Sequence, residues 1–318
     1  MAYLGEGESL TQLFTASPDP TARTQAIELS ASFGLPLDWF VKSIAQTSDE
    51  DVCRSAILAL GQYSREAFKS GQLEILRTEV SRAFARFPRE PGVTAAFLWL
   101  DRRMNFDPHY SNRPDDAVGN ISFFAAASFC RWLSEREGIE EDQMCFPTLD
   151  QINPDMTLPA DYLQRSGYRL PTESEWELAC RSGTTISWSF GLDAEHFRAY
   201  ANGINNPANH TWRFATGKPN DFGLFDMHGN VREWCVNVYA IDPQQRQFSS
   251  TMLQVSAEPR RVLRGGSFND VAVSARSASL TAEPPEIRSA NVGMRLVRTL
   301  PAADEPEPNA WGGNLNAH

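Results

Sequence analysis

The chain has 318 residues, a formal net charge of −11 and a sequence pI near 5.0. Its basic residues are scattered along the chain, which argues against a direct nucleic-acid partner. The sequence has neither an apolar run long enough to span a membrane nor the start of a signal peptide, so we expect a soluble, cytoplasmic protein. Five widely spaced cysteines without a CxxC pair argue against a disulfide framework and a zinc site.

The first third of the chain carries apolar residues at helical spacing, and we predict an all-α domain over residues 1–105. Val52, Ile57 and Leu60 fall on one face of an amphipathic helix. Further helices, separated by glycine and proline, are predicted at Thr21–Phe33, Leu37–Gln46, Gln72–Phe87 and Val93–Met104. The simplest role for this region is docking onto, or covering, the larger domain.

The sequence pattern changes after Asn105, where short apolar runs alternate with glycine, proline and asparagine and tryptophan is frequent. This pattern indicates an irregular α+β domain over residues 106–302. Two helices stand out within it. Ser122–Gly138 begins with a capping serine and ends with glycine, and Thr172–Ser182 begins with a T-x-x-E capping box. Residues 303–318 are rich in proline, glycine and acidic residues, and we predict a disordered tail there.

Four motifs follow one another in the second region. They are YRLPTESEWELACRSGT (Tyr168–Thr184), KPNDFGLFDMHGNVREWC (Lys218–Cys235), RVLRGGSF (Arg261–Phe268) and RSANVGMRLVRT (Arg288–Thr299). Together they resemble the formylglycine-generating enzyme, or sulfatase-modifying factor, family, and the likeness extends from about Asp107 to Leu300. The resemblance implies a compact, loop-rich α+β fold related to the C-type lectin fold.

The motif residues also have physical roles of their own. Trp176 and Trp234 supply large apolar surfaces that we expect to be buried. Buried arginine–carboxylate pairs are expected to replace part of an apolar core in such a loop-rich fold. The predicted members of these pairs are Arg264, Arg276, Arg288 and Arg295 with Glu173, Glu175 and Glu177.

The segment DMHGNVREW contains a set of oxygen ligands that suits calcium. Asp226 and Glu233 could provide carboxylate oxygens, and Gly229 and Val231 could provide backbone carbonyls. The resemblance implies one structural calcium at these positions. A second calcium site of the family, beginning near Asn202, lacks its later aspartate here. The alternative is that the two carboxylates cap loops or pair with arginine.

The sequence departs from the family at the catalytic positions. The resemblance implies two cysteines shortly after RGGS, which bind copper and exchange with a substrate cysteine. Those positions hold Asp270 and Ala275, and no cysteine follows Cys235. Neither copper nor formylglycine generation is therefore expected. An iron-binding branch of the family uses three histidines, most of them in a preceding helical bundle, but residues 1–105 contain no histidine, so iron is not expected either.

These observations predict a non-catalytic recognition or scaffold protein, a pseudoenzyme that binds a protein or peptide partner through its loops. The segment Asn269–Ala290 lies where the family's substrate groove would be. Its predicted polar contacts are Asp270, Arg276, Glu283 and Arg288. The resemblance permits a role in a bacterial defence or signalling system.

Two alternatives stay open at the level of the sequence. One is a metal-dependent enzyme of the broader family with altered chemistry, its metal held by Asp226, Glu233 and a histidine. The other is a structural subunit whose helical domain carries the docking surface.

Overall fold

The computed structural model describes residues 13–14, 20–68, 71–87, 90, 92–93, 95–96, 99–100, 117–204, 211 and 213–300. The predicted disordered tail, residues 303–318, lies outside this set, and so does the end of the helix predicted at Val93–Met104. No helix in the described part of the chain combines the length and the apolar character needed to cross a membrane.

In the described part of the first region, four helices with defined bounds share one apolar core. They are α1 (Thr21–Leu29), α2 (Leu37–Gln46), α3 (Glu50–Leu60) and α4 (Gln72–Arg86). Helix α1 ends earlier than predicted, because the chain turns after Leu29 and passes through Gly34 at φ +60°. Helix α3 begins at Asp49, whose carboxylate accepts a hydrogen bond from Val52 N at 3.0 Å.

Within its described residues, the second region combines three helices with eight short strands, which confirms the predicted α+β class. Its helices are α5 (Phe123–Arg136), α6 (Glu173–Arg181) and α7 (Phe197–Tyr200). Its strands are β1 (Met156–Thr157), β2 (Tyr168–Arg169), β3 (Arg232–Val238), β4 (Gln254–Val255), β5 (Arg261–Arg264), β6 (Leu280–Glu283), β7 (Val292–Gly293) and β8 (Val297–Arg298). Both predicted caps are present, since Ser122 Oγ accepts from Ala125 N and Thr172 forms a complete capping box with Glu175.

A four-stranded sheet in the order β6-β5-β3-β7 organises this region. Strand β5 runs antiparallel to both β3 and β6, with Glu233 opposite Arg264 and Leu263 opposite Thr281, while β7 is parallel to β3. Strands β1 and β4, and β2 and β8, form separate two-stranded pairs. Trp176 and Trp234 are buried against this framework, as predicted.

The helical region packs on the second region through the segment Lys218–Phe225. Phe225 joins the apolar core of the helices. Arg23 Nη2 lies 2.5 Å from Asp221 Oδ2, and the buried ammonium group of Lys218 pairs with Glu28. The helices therefore cover one face of the second region through an apolar contact bordered by buried ion pairs.

Candidate functional site

The loop after β5 turns sharply because two consecutive glycines follow Arg264. Gly265 and Gly266 have φ values of +96° and +69°, a region that side chains disfavour. A Cβ on Gly266 would lie 2.8 Å from the Ala275 Cβ. The turn directs the chain back across the end of the sheet and brings Asp270 beside β3.

A cavity of about 430 Å³ lies at this turn. Its walls combine glycine backbone, small hydroxyl side chains, aliphatic groups and one ion pair. The lining residues are Arg232, Leu263, Gly265, Gly266, Asp270, Val273, Ser274, Ser279, Leu280 and Thr281. The segment predicted to form the groove thus provides six of the ten lining residues, and the cavity lies at the N-terminal end of β6.

The ion pair on the cavity wall joins Arg232 of β3 to Asp270. Arg232 Nε and Nη2 donate to the two Asp270 oxygens at 3.0 and 2.7 Å, a bidentate arrangement. Ser267 Oγ also donates to Asp270 Oδ2 at 2.5 Å. The carboxylate at the position where the resemblance places the first family cysteine is therefore held by a cation and a hydroxyl group.

Ala275, at the position where the resemblance places the second family cysteine, is buried beneath the cavity. Its carbonyl oxygen lies 2.9 Å from His228 Nδ1. His228 Nε2 accepts from Ser189 N at 3.1 Å, which makes Nε2 the unprotonated nitrogen and Nδ1 the donor to Ala275. The neutral imidazole thus links three segments beneath the cavity.

Two thiols near this site are not suited to redox chemistry. Cys180 Sγ lies 3.7 Å from both ring nitrogens of His228, but burial raises the pKa of this thiol to about 12. Burial also raises the pKa of Cys235 well above its ordinary value. Because the thiolate is the nucleophile and the metal ligand, both groups behave as small apolar side chains at neutral pH.

The buried His228 predicts a specific pH dependence of stability. Burial lowers the pKa of His228 from 6.5 to about 4. As pH falls through this interval the unfolded chain binds a proton that the folded chain does not, so the folded state loses about 3 kcal/mol of stability. We expect urea denaturation to show the stability difference between the wild type and His228→Asn shrinking by that amount from pH 7.5 to 4. A difference independent of pH would contradict the assignment.

Only one of the four predicted partner contacts lines the cavity. Asp270 does so, whereas Arg276 is exposed and stacks over Trp188, with 5.7 Å from its Cζ to the ring centroid. Glu283 lies at the far end of β6, and Arg288 is exposed and donates to a backbone carbonyl. The structure therefore does not bring these four residues into one site.

Sequence reasoning missed Arg232 and the hydroxyl residues of the cavity wall. Arg232 belongs to the motif segment that was assigned to calcium, and its partner Asp270 is 38 residues away. The available signal was the strand-like run REWCVNV, since strand geometry places Arg232 and Glu233 on opposite faces of β3.

The predicted arginine pairs are confirmed in part. Arg264 is buried and pairs with both Glu173 and Glu177. Arg295 pairs with Glu233 instead of the predicted glutamates. The prediction was wrong for Arg276 and Arg288, whose side chains are exposed because they lie on surface turns outside the sheet.

The four predicted calcium ligands line a second cavity of about 490 Å³. Burial raises the pKa of Asp226 to about 6, and Asp226 Oδ2 accepts from Ala215 N. Both Glu233 oxygens accept from Arg295 at 2.9 Å, and Glu233 Oε2 also accepts from Trp176 Nε1 at 2.6 Å. The positions suit an oxygen-bound cation, but the charge of Glu233 is already matched by Arg295, so the geometry favours the arginine alternative.

Calcium binding stays a prediction that chelation tests directly. If a calcium ion links Asp226 to Glu233, EGTA should lower the melting temperature by several degrees, because an ion that binds only the folded state stabilises it. Calcium should restore the original value and magnesium should not. An unchanged melting temperature would mean that no calcium ion stabilises the fold, and that Glu233 is neutralised by Arg295 instead.

The described architecture is an α+β domain with a loop-built cavity at one end of a small mixed sheet. The sequence pattern of the sulfatase-modifying factor enzyme 1-like domain matches residues 55–300, so the chain belongs to this family. The match begins within α3 and therefore includes part of the helical region.

Individual relatives share only about a third of their residues with this chain over the matched segments. The chain is 31% identical over 147 residues to the serine/threonine-protein kinase pkn1 of Chlamydia pneumoniae, covering 44% of this chain and 22% of that protein. It is 29% identical over 180 residues to the formylglycine-generating enzyme of Mycobacterium tuberculosis, covering 49% and 58%. Among solved structures, Treponema denticola variable protein 1 is 30% identical with a TM-score of 0.47, covering 63% of this chain and 79% of that one. The chain thus spans only part of the length of these curated relatives.

Proposed function

We propose that this protein is a non-catalytic member of its family that binds a protein or peptide partner at the Asp270 cavity. The observation that carries the proposal is the bidentate Arg232–Asp270 pair, at the position where the resemblance implies the first family cysteine. Both oxygens of this carboxylate already accept hydrogen bonds within the protein, which argues against its use as a nucleophile.

The surroundings of the cavity support recognition of a partner. Val271 and Val273 are each 48% exposed at the edge of the cavity, and Ile204 is 52% exposed on the adjoining segment. Ile204 N donates to Asp270 O at 2.9 Å, which holds the two segments together. Apolar side chains around a polar centre are typical of protein-binding surfaces.

Site-specific photocrosslinking tests this proposal in the native cell. A photoreactive amino acid at position 273 should capture one predominant protein, whereas the same group at Ile241, which is 88% exposed on a different loop, should not. Equal capture at both positions, or none at position 273, would contradict the proposal. Stoichiometric iron or copper in the same purified protein would favour the alternative of a metal-dependent enzyme.

A further inference from the structure

A third cavity, of about 270 Å³, lies where the helical region meets the second region. Its described lining residues are Glu50, Asp51, Arg54, Glu90, Gly92 and Val93 of the helical region, with Ser182, Asp221 and Phe222 of the second. Among these nine residues four are acidic and one is basic. A cavity of about 150 Å³ is enough to hold benzene, so this one has room for an organic group.

The one basic residue of the wall, Arg54, belongs to an ion-pair network of its own. Arg54 Nη2 lies 2.7 Å from Asp51 Oδ1 and 3.3 Å from Asp221 Oδ1. Asp221 pairs in addition with Arg23. Since two arginines balance two aspartates in this network, the net negative charge of the cavity wall comes from its glutamates.

The carboxylate of Glu50 lies among other carboxylates. Burial and the nearby charges of Glu90, Asp51 and Asp49 raise the pKa of Glu50. The positive end of the α3 dipole accounts for acidic residues at positions 49–51, but Glu90 comes from a segment beyond α4. Like charges gathered around one cavity are stabilised by an added cation.

Ser182 adds a hydrogen-bonding group that no described residue uses. It follows α6 with φ +45°, and only 6% of its surface is exposed. Its Oγ is buried and makes no hydrogen bond to the described residues. A buried hydroxyl group without a partner costs free energy, which a bound N–H donor would recover. Phe222, which is 44% exposed, adds an aromatic ring of the kind that attracts cations.

We propose that this cavity binds an alkylammonium group, with the glutamates of the wall balancing its charge and Ser182 Oγ accepting one of its hydrogen bonds. An ammonium group has three N–H donors and no acceptor, which matches a wall of carboxylates and one hydroxyl group. Two sources offer this chemistry, the lysine side chain of a polypeptide and a free polyamine. The inference goes beyond the proposed function and does not depend on the Asp270 cavity.

Isothermal titration calorimetry of the full chain at low ionic strength tests the proposal. The probes are N-acetyl-lysine N-methylamide and spermidine, and N-acetyl-norleucine N-methylamide is the uncharged control. We expect the amines to bind and the control not to bind, because the charge of the amine provides the attraction. The tighter of the two amines identifies the source. No binding of either amine, or equal binding of the control, would overturn the proposal.

Ser182→Ala distinguishes a ligand site from a structural hydroxyl group. Serine and alanine both carry a Cβ, so the substitution leaves the strain at φ +45° unchanged and removes only Oγ. We expect the tighter amine to bind about fivefold more weakly, the scale of one neutral hydrogen bond. The melting temperature without amine should stay the same or rise, because Oγ has no partner to lose among the described residues. Unchanged binding, or a lower melting temperature, would overturn the role of Ser182 as a ligand group.

Glu50→Gln and Asp150→Asn form a matched charge test. Each removes one negative charge from an exposed residue, but Asp150 does not line the cavity. Glu50→Gln should weaken binding of the amine about threefold at low salt, and Asp150→Asn should leave it unchanged. Sodium chloride should reduce the difference by screening. Equal losses in the two variants would mean that the amine responds only to the net charge of −11, and the site would be rejected.

Discussion

Glu233→Ala should destabilise the folded protein by about 3–5 kcal/mol, the range for breaking a buried ion pair on one side. Glu233 is buried, and its two oxygens accept two hydrogen bonds from Arg295 and one from Trp176. Removing the carboxylate leaves the partly exposed guanidinium group of Arg295 without its charge partner and the buried indole N–H of Trp176 without an acceptor. Urea denaturation at pH 7.5 in the presence of EGTA would measure the loss without any contribution from a bound cation.

Glu141→Ala is the matched control for this experiment. Glu141 also pairs with an arginine, Arg131 at 2.6 Å, but its side chain is 71% exposed. We expect a much smaller loss for this variant, because the Glu141 carboxylate is exposed to solvent and Arg131 keeps its pair with Glu135. A similarly small loss for Glu233→Ala would mean that Arg295 finds water or another acceptor, and the central role of the pair would be rejected.

This comparison bears on the calcium prediction as well. Glu233→Ala lowers stability with or without a bound ion, because Arg295 and Trp176 lose their acceptor in either case. The variant therefore cannot distinguish calcium from the arginine pair. Chelation of the wild type can, since it leaves every protein group in place.

The sequence predicted those features that depend on neighbours along the chain. The caps at Ser122 and Thr172 need only a side chain and a backbone N–H three residues later, and both formed as predicted. The burial of Trp176 and Trp234 also followed from residue type, because large aromatic groups in a loop-rich fold anchor the core.

Pairs that meet across the fold were less predictable. Arg264 reaches Glu177 over 87 positions, and Arg232 reaches Asp270 over 38. Which arginine meets which carboxylate depends on the register of β3 and β5 and on the glycine turn at Gly265, and composition carries no information about either. Exposed Arg276 illustrates the limit, since its sequence neighbourhood did not distinguish it from buried Arg264.

The packing of the helical region on the second region was also not predictable from the sequence. Its helices were predictable from apolar periodicity, but the face they cover was not. That contact depends on Lys218 and Asp221, which belong to a family motif, meeting Glu28 and Arg23 of α1. A charge that looks solvated in the sequence of one region is buried when the other region packs on it.

Trp234→Ala should cost about 3–5 kcal/mol, the range for deleting a large aromatic group from a core. The ring is fully buried, lies edge-on to Phe123 with centroids 5.9 Å apart, and donates from Nε1 to Ile121 O at 2.8 Å. Alanine would leave a cavity between β3 and α5 and an unsatisfied carbonyl group. The free energy of urea unfolding measures the effect.

Trp234→Phe separates the two contributions and connects this residue to the cavity. Phenylalanine keeps most of the apolar contact with Phe123 but cannot donate to Ile121, so we expect a loss nearer to about 1–2 kcal/mol. Because Trp234 fixes β3, which carries Arg232, the alanine variant should also weaken binding at the cavity, while the phenylalanine variant should retain it. A loss below about 1 kcal/mol for alanine would show that the ring is not a core anchor. The position of Arg232 would then depend on the sheet hydrogen bonds of β3 with β5 and β7 alone.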